Sequence, residues 1–380
     1  MESPAPPRPS PALPAEIVED ILLRSAPDDP ASLVRAALVC KLWRRLVSDP
    51  GFRRRYRQLH PKPALLGFVS NIGRTNRFIP ACSFRPPRGL HCAYWSWHAV
   101  DSRHGRVLLH RRGSAWLENE NLFAVWDPIT GVCRRLPDFC WYRSDQRHTW
   151  SAAVLCAGGD ACDHLDCHGG PFQVVVVGSA SYNVMYACVY SSETCLWKQP
   201  GPMQSQHHGA IFEIESPSAL VGNTLYFMFQ GGTDLLEYNL ASQKMSVIRL
   251  PPEFSECCSV CVSVTEDGRL GFAGTESSKL YLWSREAGHA RWTWTLSRVI
   301  ELQNLLPVGA RSSVPLRVVA VVDGVGVCFV DKNGSLFTIG MNSSQVVKKI
   351  CNVSYNRSSY IFPYMSFFTP GSTFIRHVYL

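Results

Sequence analysis

The chain has 380 residues, more than one ordinary hydrophobic core needs, and its 46% hydrophobic and 11% aromatic content excludes a mainly disordered polypeptide. The net charge of +8 is uneven, with eight Lys or Arg residues between Lys41 and Lys62 against one acid, Asp49. No aromatic platform or groove motif accompanies that run, so it reads as a solvated helix face or a surface for an acidic partner rather than a nucleic-acid site. Apolar runs such as Phe172–Val177 and Val318–Val322 are strand-sized, far too short for a helical membrane span. The sequence holds no G-x-S-x-G elbow, H-E-x-x-H helix or phosphate-binding G-x-x-x-x-G-K-[ST] loop, so catalysis has no motif to stand on.

Residues 1–11 form a proline-rich, polar lead, expected to be disordered and lacking the charged and apolar regions of a secretory signal. That places the chain in cytoplasm or nucleus, where the fifteen cysteines are mostly reduced. Cys188, Cys261 and Cys328 sit in apolar strands as small buried hydrophobes. Sequons at Asn333, Asn342, Asn352 and Asn356 are then chance.

Residues 13–59 read as three short amphipathic helices and a last basic one. Pro14 fits a first helical position and Glu16 the first turn, where the helix dipole favours an anion. Leu13, Ile17 and Ile21 recur at i, i+4 and i+8, widened by Val18 and Leu22. Pro27 ends this helix. Asp29 offers a cap oxygen ahead of Pro30, and Leu33, Ala36, Ala37 and Leu38 make a second apolar face. Val39, Cys40 and Lys41 lead to a third helix with Leu42, Trp43, Leu46 and Val47. Asp49-Pro50 repeats the cap-then-proline pattern before Phe52 and Tyr56.

The run Leu13-Pro14, Glu16, Ile21-Leu22, Val39-Cys40-Lys41, Trp43, Leu46 and Asp49-Pro50 followed by Phe52 resembles an F-box, over about one eighth of the chain. The resemblance implies docking on a Skp-type adaptor and, through it, on cullin and RING subunits. The adaptor-binding residues expected from it are Leu13, Pro14, Ile17, Ile21, Leu22, Leu38, Val39, Cys40, Trp43 and Leu46. Physical size agrees with docking, because so small a segment cannot bury its whole apolar face alone. A buried Trp is also a frequent interface anchor.

From about residue 64 the chain turns to short strands with two recurring markers. One is a turn glycine opening an apolar strand, at Gly105, Gly222, Gly268 and Gly324. The other, 15 to 21 residues on, is a strand ending in a large residue: Trp126, Tyr238, Trp283 and Met341, with Tyr190 a fifth lacking its glycine. Return strands follow at Val132–Leu136, Trp197–Pro200 and Met245–Leu250. The marker intervals are 64, 48, 45 and 58 residues. The short ones fit a propeller blade of about 40–50 residues and the long ones imply insertions. Val299, Leu302, Leu305 and Leu306 suggest a short helix in the last interval. A β-sandwich is the rival architecture.

Arg53–Arg57, Leu59-His60-Pro61, Leu65–Phe68, Asp101–Arg106 and Phe362-Pro363-Tyr364 resemble phrases of grass-type plant F-box proteins. That family implies a propeller-like or kelch-like domain that recruits substrates. The kelch match is loose: of Gly158-Gly159, Gly169-Gly170 and Gly231-Gly232, only the last sits near a strand end.

Cys156, Cys162, His164, Cys167 and His168 fall within thirteen residues, beside Asp160, Asp163 and Asp166. Thiolate and imidazole suit zinc, but the spacing matches no paired-ligand motif, so the segment is read as a polar inter-blade loop without metal. His207-His208 read as loop residues. Trp95, Trp97, Trp141 and Tyr142 are candidate recognition aromatics that serve equally as packing residues.

The expectation is therefore α+β and multidomain: a lead (1–11), a small three-helix F-box (12–60) and an all-β, β-propeller-like domain of six or seven blades (61–380). Function is expected to be non-catalytic substrate recognition for a Skp–cullin–F-box ubiquitin ligase, with no cofactor, nucleic acid or membrane partner. The alternatives are a free-standing propeller binding a small molecule or glycan, and an F-box scaffold without ubiquitination.

Overall fold

The computed structural model describes residues 13–60, 62–72, 75–87, 97–111, 122–137, 149–159, 162, 164, 167–181, 184–198, 203–204, 212, 216–252, 259–287, 292–306, 315–332, 334–341, 345–352 and 360–367. The N-terminal lead, His207-His208, Trp95, Trp141 and Tyr142 lie outside the described residues.

Four helices come first: α1 (Ala15–Leu23), α2 (Pro30–Val39), α3 (Lys41–Ser48) and α4 (Pro50–Leu59). Extended backbone at Cys40 separates α2 from α3, and the Cys40 Sγ accepts the Trp43 N–H at 3.5 Å, capping α3. Asp49 caps α4 by accepting the Phe52 N–H at 3.0 Å, with Pro50 in the first position. Asp29 makes no such cap bond. Its carboxylate instead takes the Arg35 guanidinium at 3.2 Å and the Ser83 hydroxyl at 3.5 Å, the latter from the β region. Val18, Leu22, Leu23, Leu33, Ala36, Val47, Phe52 and Tyr56 pack together, with Trp43 and Leu46 half-buried against them. Phe367, from the other end of the chain, completes this small core.

The β region is a six-bladed propeller. After β1 (Ala64–Ile72) and β2 (Thr75–Pro80), blade one runs β3 (Trp97–Arg103), β4 (Arg106–Arg111), β5 (Phe123–Trp126) and β6 (Cys133–Arg135). Blade two has β7 (Thr149–Cys156), β8 (Phe172–Ser181) and β9 (Val184–Ser191), with an outer strand in two pieces, β10 (Leu196–Lys198) and β11 (Met203–Gln204), both on β9. Blade three runs β12 (Ala219–Val221), β13 (Thr224–Met228), β14 (Asp234–Asn239) and β15 (Met245–Arg249). Blade four runs β16 (Ser259–Val264), β17 (Leu270–Glu276), β18 (Lys279–Ala287) and β19 (Trp292–Glu301). Blade five runs β20 (Arg317–Val322), β21 (Val327–Lys332), β22 (Ser335–Gly340) and β23 (Gln345–Asn352).

The sixth blade joins the two ends of the domain. The last strand, β24 (Ile361–Ser366), pairs antiparallel with β1 in the order β2-β1-β24, placing Gly67 opposite Tyr364, Phe68 opposite Pro363 and Val69 opposite Phe362. First strands line the axis: β24 packs on β3, β3 on β7, β12 on β16, β16 on β20 and β20 on β24. Closing the ring this way leaves no long exposed inner edge.

Each blade–blade interface holds its own apolar cluster, and the large marker residues are wedges into them. Trp126 of blade one packs into the cluster shared with blade six, Tyr190 of blade two into that with blade one, and Tyr238 of blade three into that with blade two. Trp283 and Met341 repeat the placement in blades four and five. The marker is thus a packing rule: the third strand, or the residue just after it, carries a side chain large enough to reach the preceding blade. The glycines serve the tight first turns, with φ of 69° at Gly105 and 78° at Gly268, where a side chain is strained.

Polar bonds stitch the blades as well. Asn71 exchanges two 2.8 Å bonds with the Ala99 backbone, Asp101 accepts the Val154 N–H at 2.8 Å, and Ser259 accepts that of Val318 at 2.8 Å. Asp323 accepts the Val264 N–H at 2.9 Å.

Two local expectations are corrected. Val299 lies in β19, and only Leu302–Asn304 form a single 3-10 turn, with Leu302 and Leu306 buried between blades four and five. The glycine- and cysteine-rich segment is not an inter-blade loop: residues 157–171 join β7 to β8 inside blade two, in place of the short turn that other blades have.

Candidate functional site

The helical unit buries only part of its apolar surface. In α1 the residues Val18, Leu22 and Leu23 face the core, while Leu13, Ile17 and Ile21 line the opposite edge of the stripe. Leu13, Ile17, Ile21, Leu38, Val39 and Leu42 are between 44 and 64% exposed, a concentration of large apolar side chains beyond what isolated surface residues need. Pro14 and Cys40 are exposed among them. Leu22, also expected at this face, is 5% exposed and belongs to the core, and Trp43 and Leu46 lie half in it. Leu42 joins the exposed set although it was absent from the expected contacts.

This unit is seated on the propeller. The Tyr56 ring meets Phe367 edge-on at 6.3 Å, and the Ala31 N–H donates to Ser83 Oγ at 3.3 Å. His60 Nε2 lies 2.9 Å from the Leu23 carbonyl, and Lys62 Nζ donates to the Gly324 carbonyl at 2.9 Å, tying the connecting segment to blade five.

Lys62 also rims a cavity of about 390 Å³ at this mouth of the axial channel, lined further by Asp101, Arg103, His104, Ser218 and Asp323. The Arg103 guanidinium donates to the Ser218 carbonyl at 2.7 Å and lies 3.6 Å from Asp101, while its buried Nη1 has no hydrogen-bond partner among the described residues. Burial pushes the Asp101 carboxyl above the usual range, against the pull of Arg103 and the Val154 and Ser102 amides. His104 is driven down to about 2 by burial and by the neighbouring Arg103, His164 and Arg106, so it stays neutral and its Nδ1 accepts the Cys156 N–H at 3.0 Å.

The loop between β7 and β8 brings Cys156, Cys162, His164 and Cys167 together, their ligand atoms all within 4.8 Å of one another. His168 points elsewhere: its Nδ1 lies 2.8 Å from Asp127 Oδ2, and it takes no part in the cluster. Burial raises the Asp127 carboxyl, but His168, Thr130 and the Ile129 amide outweigh it and hold the carboxyl below the ordinary value. Trp97, one of the candidate recognition aromatics, is buried between blades six and one as a packing residue. The Gly231-Gly232 pair forms the β13–β14 turn, with φ of 93° and 67°. Among the described residues no helix is long and apolar enough to cross a membrane.

Comparison with known proteins matches two family descriptions. An F-box-like domain covers residues 11–58, and "F-box protein AT5G49610-like, beta-propeller" covers residues 98–372. A search of curated proteins gave no match. Solved structures similar in fold include a putative 6-phosphogluconolactonase from Bacteroides fragilis, with 11% identity and a TM-score of 0.37 over 64% of this chain and 66% of that one. The WD40 domain of SCAP from fission yeast has 10% identity and a TM-score of 0.36 over 66% and 54%. The SapL1 lectin, solved with alpha methyl fucoside, has 12% identity and a TM-score of 0.40 over 76% and 97%. The chain spans less than two thirds of the length of the first two. An F-box-like helical unit ahead of a matched propeller spanning most of the chain fixes the family: this protein belongs to the F-box proteins with an AT5G49610-like β-propeller.

Proposed function

We propose that the chain is the substrate-recognition subunit of a Skp–cullin–F-box ubiquitin ligase, acting in cytoplasm or nucleus without chemistry of its own. The exposed edge of the helical unit carries this reading: Leu13, Ile17, Ile21, Leu38, Val39 and Leu42 stay unburied beside a completed small core. A Skp-type adaptor covers them, and the exposed Lys41, Arg44 and Arg45 of α3 face acidic residues on it. Leu13, Pro14, Ile17, Ile21, Leu38, Val39 and Cys40 then make direct contacts, with Leu22, Trp43 and Leu46 supporting them from beneath. The propeller holds a protein substrate, and the complex raises its effective concentration beside a charged ubiquitin-conjugating enzyme. Reconstitution with purified adaptor, cullin and RING subunits tests this. Wild-type chain should carry a cross-linked substrate into ubiquitinated product, and an F-box-deleted chain should not.

The channel mouth favours a second reading, that the propeller binds a small molecule. Its volume of about 390 Å³ lies in the range of ligand pockets, and Arg103 offers there a donor with no partner among the described residues. Native mass spectrometry of the purified chain checks it: a retained small molecule lost in Arg103→Met supports that use, and an unliganded mass in both rejects it.

A further inference from the structure

We propose that Cys156, Cys162, His164 and Cys167 form a structural zinc site that fastens the long β7–β8 loop to the channel mouth. Three thiols and one imidazole are a complete donor set for a closed tetrahedral zinc centre. The sequence interval C-x5-C-x-H-x2-C is irregular, yet the fold gathers all four ligand atoms within 4.8 Å of one another, with Cys167 Sγ 4.0 Å from His164 Nδ1. Zinc–sulfur bonds of about 2.3 Å and zinc–nitrogen bonds of about 2.0 Å give tetrahedral edges of roughly 3.5–3.8 Å, so each ligand needs to move inward by only about half an ångström.

Three further features point the same way. The Gly158 N–H donates to Cys156 Sγ at 3.3 Å, the kind of amide–sulfur bond that stabilises a metal-bound thiolate. A Cβ on Gly158 would stand 2.9 Å from the Cys162 Cβ and 3.4 Å from the Cys156 sulfur, so the glycine leaves the room that lets the two thiols meet. The backbone is bent at His164 to a φ of 56°, the left-handed region, and that turn presents the imidazole to the three sulfurs.

Charge supplies the independent argument. Arg106 is 1% exposed and, among the described residues, has no carboxylate partner. Its guanidinium bonds the carbonyls of His104, Cys167 and Gly170, lies over the Phe172 ring at 5.5 Å and reaches the Cys167 sulfur at 4.0 Å. Three thiolates, one neutral imidazole and Zn²⁺ sum to a single negative charge. Arg106 neutralises it, where neutral thiols would leave this buried cation without a counter-ion among the described residues. Binding releases the three thiol protons to solvent. Where blades one, three, four and five close the first turn within a few residues that include a glycine, blade two fastens its longer connection by metal, and His164 and its stacking partner His104, 4.2 Å away, become a fixed wall of the channel mouth.

The test is the zinc content of the full chain, co-expressed with its adaptor and purified with tris(2-carboxyethyl)phosphine but without chelator. Elemental analysis should find one zinc per chain, and Co²⁺ exchanged into the wild type should show the intense visible bands of a tetrahedral thiolate site. Cys162→Ser and Cys167→Ser should each lose at least nine tenths of the metal, whereas Cys195→Ser, an exposed free cysteine outside the cluster, should keep it. If the ligand variants fail to fold, alkylation of the wild type decides the matter: Zn²⁺ should slow iodoacetamide labelling of Cys162 at least tenfold and leave Cys195 unchanged. Wild-type chain with less than a tenth of an equivalent of zinc, a disulfide between cluster cysteines, or labelling indifferent to Zn²⁺ would each overturn the proposal.

Discussion

Tyr56 of the last helix meets Phe367, the first residue after the closing strand of the propeller, ring edge to ring face at 6.3 Å. Phe367 is buried in the core of the helical unit rather than in any blade cluster, so the strand that closes the propeller also anchors the helices to it. The helices are thereby held in one position relative to the blades. In the proposed complex, a handle fixed in this way would let the adaptor set where the propeller points.

Phe367→Ala removes that anchor. Truncation of a buried phenylalanine costs about 3–5 kcal/mol. The loss should fall on the helical unit, so hydrogen exchange of α1 and α4 amides should speed up while β7, β8 and β20 keep their protection. Equal loss of protection in all of them would mean that Phe367 belongs to the propeller core instead.

Tyr238 separates packing from hydrogen bonding at a blade interface. Its ring fills the gap between blades three and two, and its buried hydroxyl has no partner among the described residues. Tyr238→Phe should therefore leave the melting temperature unchanged or slightly raised. Tyr238→Ala should lower stability by about 3–5 kcal/mol. A marked loss in the Phe variant would assign the hydroxyl a role that the geometry does not give it.

Asp101 should make stability fall as pH rises. Burial lifts its carboxyl above the usual value of about 4, so between that value and its folded pKa the folded chain holds a proton that the unfolded chain has lost. Folding is favoured by this group at the acid end, and its contribution declines as pH climbs through the folded pKa. Asp101→Asn keeps an oxygen for the Val154 N–H and cannot ionise. The melting temperature of the variant minus that of the wild type should grow from pH 4 to pH 7. A constant difference across that range would contradict the argument.

The parts legible in the sequence are those imposed locally. Gly105, Gly222, Gly268 and Gly324 were readable because a tight turn needs φ above zero. Trp126, Tyr190, Tyr238, Trp283 and Met341 were readable because every blade repeats the same wedge. The sixth blade was not, since Gly67 pairs with Tyr364 from the far end of the chain and the first turn is absent there. Its wedge, Ile79, ends a strand with no glycine marker before it. In α1 the spacing gave a stripe, but only the packed structure divides it into the buried Val18, Leu22 and Leu23 and the bare Leu13, Ile17 and Ile21. The cysteine cluster was obscured for a related reason: its ligands meet through the space left at Gly158 and the left-handed bend at His164, which no ligand-spacing rule encodes.

Adaptor affinity measured by calorimetry tests the central claim most directly. Ile17→Asp and Val39→Asp change exposed side chains, so the chain should stay folded with a melting temperature within about 2 °C of wild type, as expected for surface substitutions. The wild type should bind a purified Skp-type adaptor, and each variant should weaken that binding at least 100-fold. Undiminished binding by both folded variants, or no binding by the wild type, would contradict the assignment of this apolar edge as the adaptor-docking face.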